Sequence, residues 1–258
     1  MESRQVRYKK LCQRVKADYE ERVAQEKNQE GLKMLWCPEC EEINMWTYWQ
    51  GRGNMHPKIL VVGQDWWNLN DTYAQVVRKN VRAINAGAIY NCNEGMKPSC
   101  KTDENLIELF ASLDCGYDDL FHTSYEDLFF TNICLGYRSQ GASGKLKPEW
   151  IEKDIGYLKE LIEILEPKVI ICLGKENFKG VKKAFAIACD LNKISYNKFI
   201  TQENPQRICF ANGKVVPVFA MAHCGAVGTM NRNRGALTGD DKLALQKKDW
   251  SAIKQYLV

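Results

Sequence analysis

Four short apolar runs, Ile59–Val62, Leu128–Ile133, Val169–Leu173 and Val215–Met221, constrain the fold of this chain more than any other feature. Each has the length of a strand buried on both faces, and helical segments separate them. Asp71–Asn85 and Asp103–Leu113 are amphipathic, with Asp103 placed as an N-cap. Pro148–Leu165 carries proline in its first turn and a stripe of Ile151, Ile155, Leu158, Leu161, Ile162 and Leu165; Asn177–Leu191 follows. This β-α-β-α-β-α-β order predicts an α/β fold, a three-layer α/β/α sandwich around a mainly parallel four-stranded central sheet. An Asn212-Gly213 turn between RICFA and KVVPVFAM is a hairpin signal that adds an antiparallel edge strand. Residues 1–35 read as a charged N-terminal helical extension with a break at Gly31. Residues 36–258 read as the α/β domain, including a Cys-bearing segment at 36–57.

A chain of 258 residues can bury a full core without staples. No window reaches the length of a transmembrane helix, and the N-terminus, MESRQVRYKKLCQRVKADYEERV, lacks the apolar core of a signal peptide. A cytoplasmic monomer with no membrane contact is therefore expected. Its 11 cysteines would be thiols in that setting, with Cys134 and Cys172 as core residues and any CxxC read as metal or redox. A net charge of +4 points only weakly to nucleic acid.

In open parallel sheets, ligands bind beyond the carboxyl ends of the strands. There the first strand leads into Gly63-Gln64-Asp65-Trp66-Trp67, and the second holds Thr131-Asn132 before Gly136-Tyr137-Arg138. The third ends in Gly174-Lys175; the fourth leads into His223-Cys224-Gly225 and then GTMNRNRG. Asp, Asn, Lys and His are thus expected on one edge.

This ordered set resembles the uracil-DNA glycosylase superfamily. KILVVGQDWW is similar to its water-activating Gly-Gln-Asp motif, and DLFFTNICLGYR to the strand carrying its base-reading Asn. KPEWIEKDIGYLKELIEILEPKVIICLGK resembles the helix-strand unit of the thermostable iron-sulfur branch. AMAHCGAVGTMNRNR sits where the superfamily has a His-Pro-Ser motif and a loop that enters DNA. The resemblance spans about residues 37–235 and implies hydrolysis of the N-glycosidic bond of uracil, or a related damaged base, in DNA. In that reading Asp65 orients and activates water and offsets the cationic sugar. Asn132 matches uracil N3 and O4, whereas cytosine presents the reverse pattern. Neutral His223 donates to uracil O2 as the anion forms. Gly63, Gln64, Trp67 and Tyr90 would line the base pocket, Tyr90 as the stacking aromatic. Lys175, Met230, Arg232 and Arg234 would meet DNA, with Met230 or Val227 as a wedge.

Three departures stand out. Trp66 and Trp67 replace the Pro and Tyr of the best-known branch, and Cys224-Gly225 replaces Pro-Ser. Cys37 and Cys40 fall near the first two cluster ligands of the iron-sulfur branch, but the third and fourth fall near Gly136 and Asp154. Replacement ligands would come from Cys92 and Cys100, or from Cys134, giving a [4Fe-4S] cluster or a structural Zn²⁺.

Each residue also has a plainer reading. Asp65 could cap a helix, Asn132 could bond a loop, His223 could be structural, and Lys175, Arg232 and Arg234 could be solvated charges. Two other functions stay open. One is a weak or inactive glycosylase-like module that binds nucleic acid or a modified nucleotide. The other, ranked low without a Walker-type loop, is a phosphate-handling enzyme.

Overall fold

The computed structural model describes residues 2–25, 31–37, 43, 55–66, 68, 101–115, 127–141, 146–234 and 241–257. Helix α1 (Arg4–Gln25) precedes a two-residue strand, β1 (Met34–Leu35). Then come β2 (Ile59–Gly63), α2 (Lys101–Ala111), β3 (Leu128–Asn132), the short β4 (Tyr137–Arg138), α3 (Pro148–Leu165) and β5 (Val169–Leu173). The chain continues through α4 (Lys175–Ala184), α5 (Tyr196–Gln202), β6 (Gln206–Cys209), β7 (Val215–Met221), α6 (Ala226–Asn233) and α7 (Ala244–Ser251).

The central sheet has order β3-β2-β5-β7-β6. β3, β2, β5 and β7 are the four parallel strands expected, and the hairpin partner β6 adds an antiparallel fifth at the edge. Every residue of β2, β3 and β5 is buried, which is why these strands read as unbroken apolar runs rather than alternating ones. Their side chains still alternate in direction. Leu60, Val62, Phe129, Ile170, Cys172, Val218 and Ala220 share one core with side chains of α1, α3, α4 and α5. Ile59, Val61, Phe130, Ile171, Phe219 and Met221 share the other with Leu106, Leu109 and Phe110 of α2 and Trp250 of α7. The result is the three-layer α/β/α sandwich.

α3 starts at Pro148, whose fixed φ suits the first turn, and ends where Glu166 turns left-handed at φ 45°. α2 begins at Lys101, so Asp103 lies in its first turn instead of capping it. α4 runs over Lys175–Ala184 instead of Asn177–Leu191, because Gly174 at φ 108° starts it early and Ala186 at φ 51° breaks it. The helix expected over Asp71–Asn85 lies outside the described residues.

Helix α1 buries Tyr8, Leu11, Cys12, Val15 and Tyr19 along one side against α3 and the sheet. Arg4 donates to Glu166 at 2.5 Å, and Tyr8 meets Phe129 edge-on at 5.9 Å.

Candidate active site at the strand ends

The parallel register brings the strand ends into one row. Gly63 pairs with Asn132, Val62 with Cys172, and Leu173 with Met221. Backbone pairing continues one step further: Ile133 N–H donates to Gly63 O at 2.9 Å, Cys134 N–H to Gln64 O at 3.1 Å and Gly174 N–H to Met221 O at 2.7 Å. Asp65, Asn132, Gly174-Lys175 and His223 therefore leave the sheet along a common rim.

Asn132 is 2% exposed, and its Nδ2 has no hydrogen-bond partner among the described residues. Burying an amide donor unpaired costs about 1–3 kcal/mol, so the position is expensive unless a ligand acceptor completes it. Gly63 makes room for it, since a Cβ there would collide with Asn132 Oδ1.

His223 has a defined tautomer. Gly225 N–H donates to its Nδ1 at 2.9 Å, so the neutral ring carries its proton on Nε2. Burial holds this imidazole below its ordinary value of 6.5, against the opposing pull of the Asp65 charge. The site thus presents a neutral N–H donor at neutral pH, within the electrostatic reach of Asp65. Gly225 also explains the missing Ser: a Cβ would press on the His223 ring and on Thr102 Oγ1.

Asp65 is held from two sides. Arg138 Nε donates to Oδ1 at 3.1 Å, Arg138 Nη2 to Oδ2 at 2.8 Å, and Gln64 Nε2 to Oδ2 at 3.0 Å. The Asp65 side chain thus faces the Arg138 guanidinium, and its charge acts on the His223 ring. The sequence assigns Arg138 no role; its place six residues after Asn132, beyond a strand end, is the signal that points to it. Nor does the sequence assign the frame behind His223. Asn105 Nδ2 donates to Cys224 O at 2.7 Å, and Gln246 Nε2 to Ala222 O and His223 O at 3.4 Å each. Asn105 is a buried amide inside an apolar helix stripe, and that contrast is visible in the sequence.

Other residues fall as follows. Trp66 is half-buried, 6.3 Å from the Phe130 ring centroid, with its indole Nε1 unpaired among the described residues. Trp67 and Tyr90 lie outside the described residues. Lys175 opens α4 and is half-buried at the rim. The segment expected as a Gly/Asn-rich loop is the helix α6, on which Met230 is 51% and Val227 68% exposed. Arg234, just past its end, is exposed. Arg232 is corrected: it is 9% exposed and forks onto Asp249 with two 2.6 Å bonds, with a third to Thr201 Oγ1 at 3.0 Å. Its donors serve the protein, tying α6 to α7 and α5, and are not offered to a phosphate.

Of the four cysteines expected to hold a metal, Cys37 is buried beside Tyr137, and Cys40, Cys92 and Cys100 lie outside the described residues. The two positions where the iron-sulfur branch would place its other ligands do not fit a cluster. Tyr19 of α1 packs where a Gly136 side chain would stand. The Asp154 carboxylate accepts from Tyr19 Oη, from Arg22 Nη1 at 2.7 Å and from Leu135 N–H at 2.7 Å. Burial pushes Asp154 upward against those three donors, and it pushes the nearby Cys134 thiol and Tyr19 phenol up as well. Cys134 is a buried core thiol, with its sulfur 3.7 Å from Tyr19 Oη.

No curated protein matches the chain. A family model for the uracil DNA glycosylase superfamily matches residues 50–251, a span that takes in the whole rim and all five strands of the central sheet. With that match over most of its length, the chain belongs to the uracil DNA glycosylase superfamily.

Proposed function

We propose that this protein is a DNA glycosylase that hydrolyses the N-glycosidic bond of uracil, or of a closely related base, as the first step of base excision. The observation that carries the reading is the buried amide of Asn132, whose Nδ2 has no partner among the described residues, set in the same rim as Asp65 and a neutral His223 that donates from Nε2.

The extruded base enters the pocket at a cost of a few kcal/mol in lost stacking and pairing. Asn132 Nδ2 donates to uracil O4 while its Oδ1 accepts N3–H; cytosine offers the opposite polarity at both atoms. As the glycosidic bond lengthens, negative charge grows on uracil O2 and His223 Nε2–H meets it, a contact stronger in the transition state than before it. Asp65 faces the developing cationic sugar with fixed negative charge and orients the water that attacks it. The water oxygen bonds to the sugar carbon, the electron pair of the broken bond leaves with uracil, and the water passes its proton to the Asp65 carboxylate, which returns it to solvent or to the departing uracil anion. Lys175, Arg234 and the exposed Met230 and Val227 of α6 form the DNA-facing rim. A metal at Cys37 and Cys40 with Cys92 and Cys100 belongs to the proposal as a structural element, and elemental analysis for iron and zinc tests it.

The test is strand scission by alkali after incubation with single- and double-stranded oligonucleotides carrying one uracil. Wild type cleaves, and Asp65→Asn and His223→Ala each lower the rate by roughly 10²–10⁴-fold. Retained DNA binding with no scission would instead support a binding module.

A further inference from the structure

We infer that Arg138 is the positioning residue of this site: its guanidinium sets the plane and direction of the Asp65 carboxylate. The inference rests on the glycosylase reading. Arg138 and Asp65 side chains are 3% and 6% exposed, and the two bonds run from different nitrogens to different oxygens. Such a fork fixes a carboxylate in orientation as well as in place, which a single bond cannot do.

The arginine is itself held by backbone. β4 is only two residues long, yet it pairs antiparallel with β1, Met34 opposite Arg138 and Leu35 opposite Tyr137. Lys33 and Ser139 close the pair with reciprocal bonds, Lys33 N–H to Ser139 Oγ and Ser139 N–H to Lys33 O, both at 2.9 Å. Asn68, three residues beyond Asp65, forms a bridge to Arg138 from the other side. Just before β4, Tyr19 of α1 packs on Gly136, and Asp154 grips Leu135 N–H. The support runs from the N-terminal helix and strand through β4 to a guanidinium and ends on the carboxylate.

Water attack needs that carboxylate aimed. A buried Asp on the loop after a strand has several rotamers, and a displacement of about 1 Å at a reacting group costs on the order of 10²-fold in rate. Arg138 makes no contact with the reacting atoms in this scheme; it acts through Asp65.

The experiment measures single-turnover uracil release and DNA dissociation constants for wild type, R138Q, R138K, D65N and the double variant D65N/R138Q. R138Q is expected to lose about 10²-fold in the single-turnover rate with DNA affinity within about twofold of wild type. R138K keeps the buried charge but cannot fork, so it recovers part of that loss. In the D65N background, adding R138Q costs nothing further, because the group being positioned is gone. Wild-type rates in R138K and R138Q would overturn the inference. So would an equal fold-loss from R138Q in both backgrounds, the mark of a merely structural role. If R138Q does not fold, R138K decides alone, and a wild-type rate in it overturns the inference. A wild-type protein that releases no uracil defeats the glycosylase reading and this inference with it; a cleaving wild type with indifferent Arg138 variants defeats the inference alone.

Discussion

The amide of Asn132 and the missing side chain at Gly63 form one device, because the two residues are register partners on neighbouring strands and a Cβ on one would collide with the other. Gly63→Ala should therefore leave the sheet folded but displace the amide. The expected result is a uracil release rate lower by about 10–100-fold, with melting temperature nearly unchanged, compared by oligonucleotide scission and thermal denaturation. His223 gives the pH behaviour. Its folded value is depressed by burial, so the unfolded chain binds that proton more readily. Stability from this group is full above 6.5 and is lost as pH falls below 6.5 towards the folded value. The rate should fall at lower pH, around the depressed folded value itself, as the imidazole charges and Gly225 N–H loses its acceptor. A rate–pH profile checks this, and His223→Gln, with an amide that does not titrate, should flatten that limb.

Among the elements, α1 and α6 changed most in meaning between sequence and structure. In sequence α1 reads as a charged helical extension, since its exposed face is rich in Lys, Arg and Glu. Its buried stripe of Tyr8, Leu11, Val15 and Tyr19 is spaced at helical intervals but interleaved with charge; Arg22 has Asp18 one turn back, but the carboxylate it shares with Tyr19, Asp154, lies more than a hundred residues away. No local pattern could reveal that pairing. Asp154→Ala would strand a buried phenol and the Leu135 N–H and leave Arg22 with Asp18 as its remaining carboxylate partner. It should cost about 3–5 kcal/mol in chemical denaturation, while Asp154→Asn, which retains an acceptor, costs less. α6 and the residue just past its end carry two kinds of arginine, two positions apart. Arg232 is locked to Asp249, so Arg232→Ala should lower the melting temperature. Arg234→Ala and Lys175→Ala should leave stability alone and each reduce the salt dependence of DNA binding by about one unit of slope, measured by titration at several salt concentrations.

Over the whole molecule, the fold was legible because buried parallel strands write themselves as short apolar runs, and because the rule about strand ends gathers Asp65, Asn132 and His223 at one edge. What sequence could not supply were groups whose partners lie far along the chain: Arg138 on Asp65, and Asn105 and Gln246 behind the His223 turn. Arg232 misled for the same reason, since a charge in a Gly/Asn-rich stretch reads as exposed until the tertiary partner is known. The hairpin strand β6 has one more consequence. An apolar β7, buried from Val218 to Met221, would at the margin of the sheet offer free backbone groups to any passing chain. β6 covers Val215–Val218, with the Asn204 side chain bonding Ala220 N–H and O beyond it, and β6 is only four residues long, with Gln206, Arg207 and Cys209 turned at least partly to solvent. A short, polar, charge-bearing margin is poor glue between molecules. The hairpin thus guards against edge-to-edge aggregation at the concentrations and temperatures where a parallel sheet is most at risk.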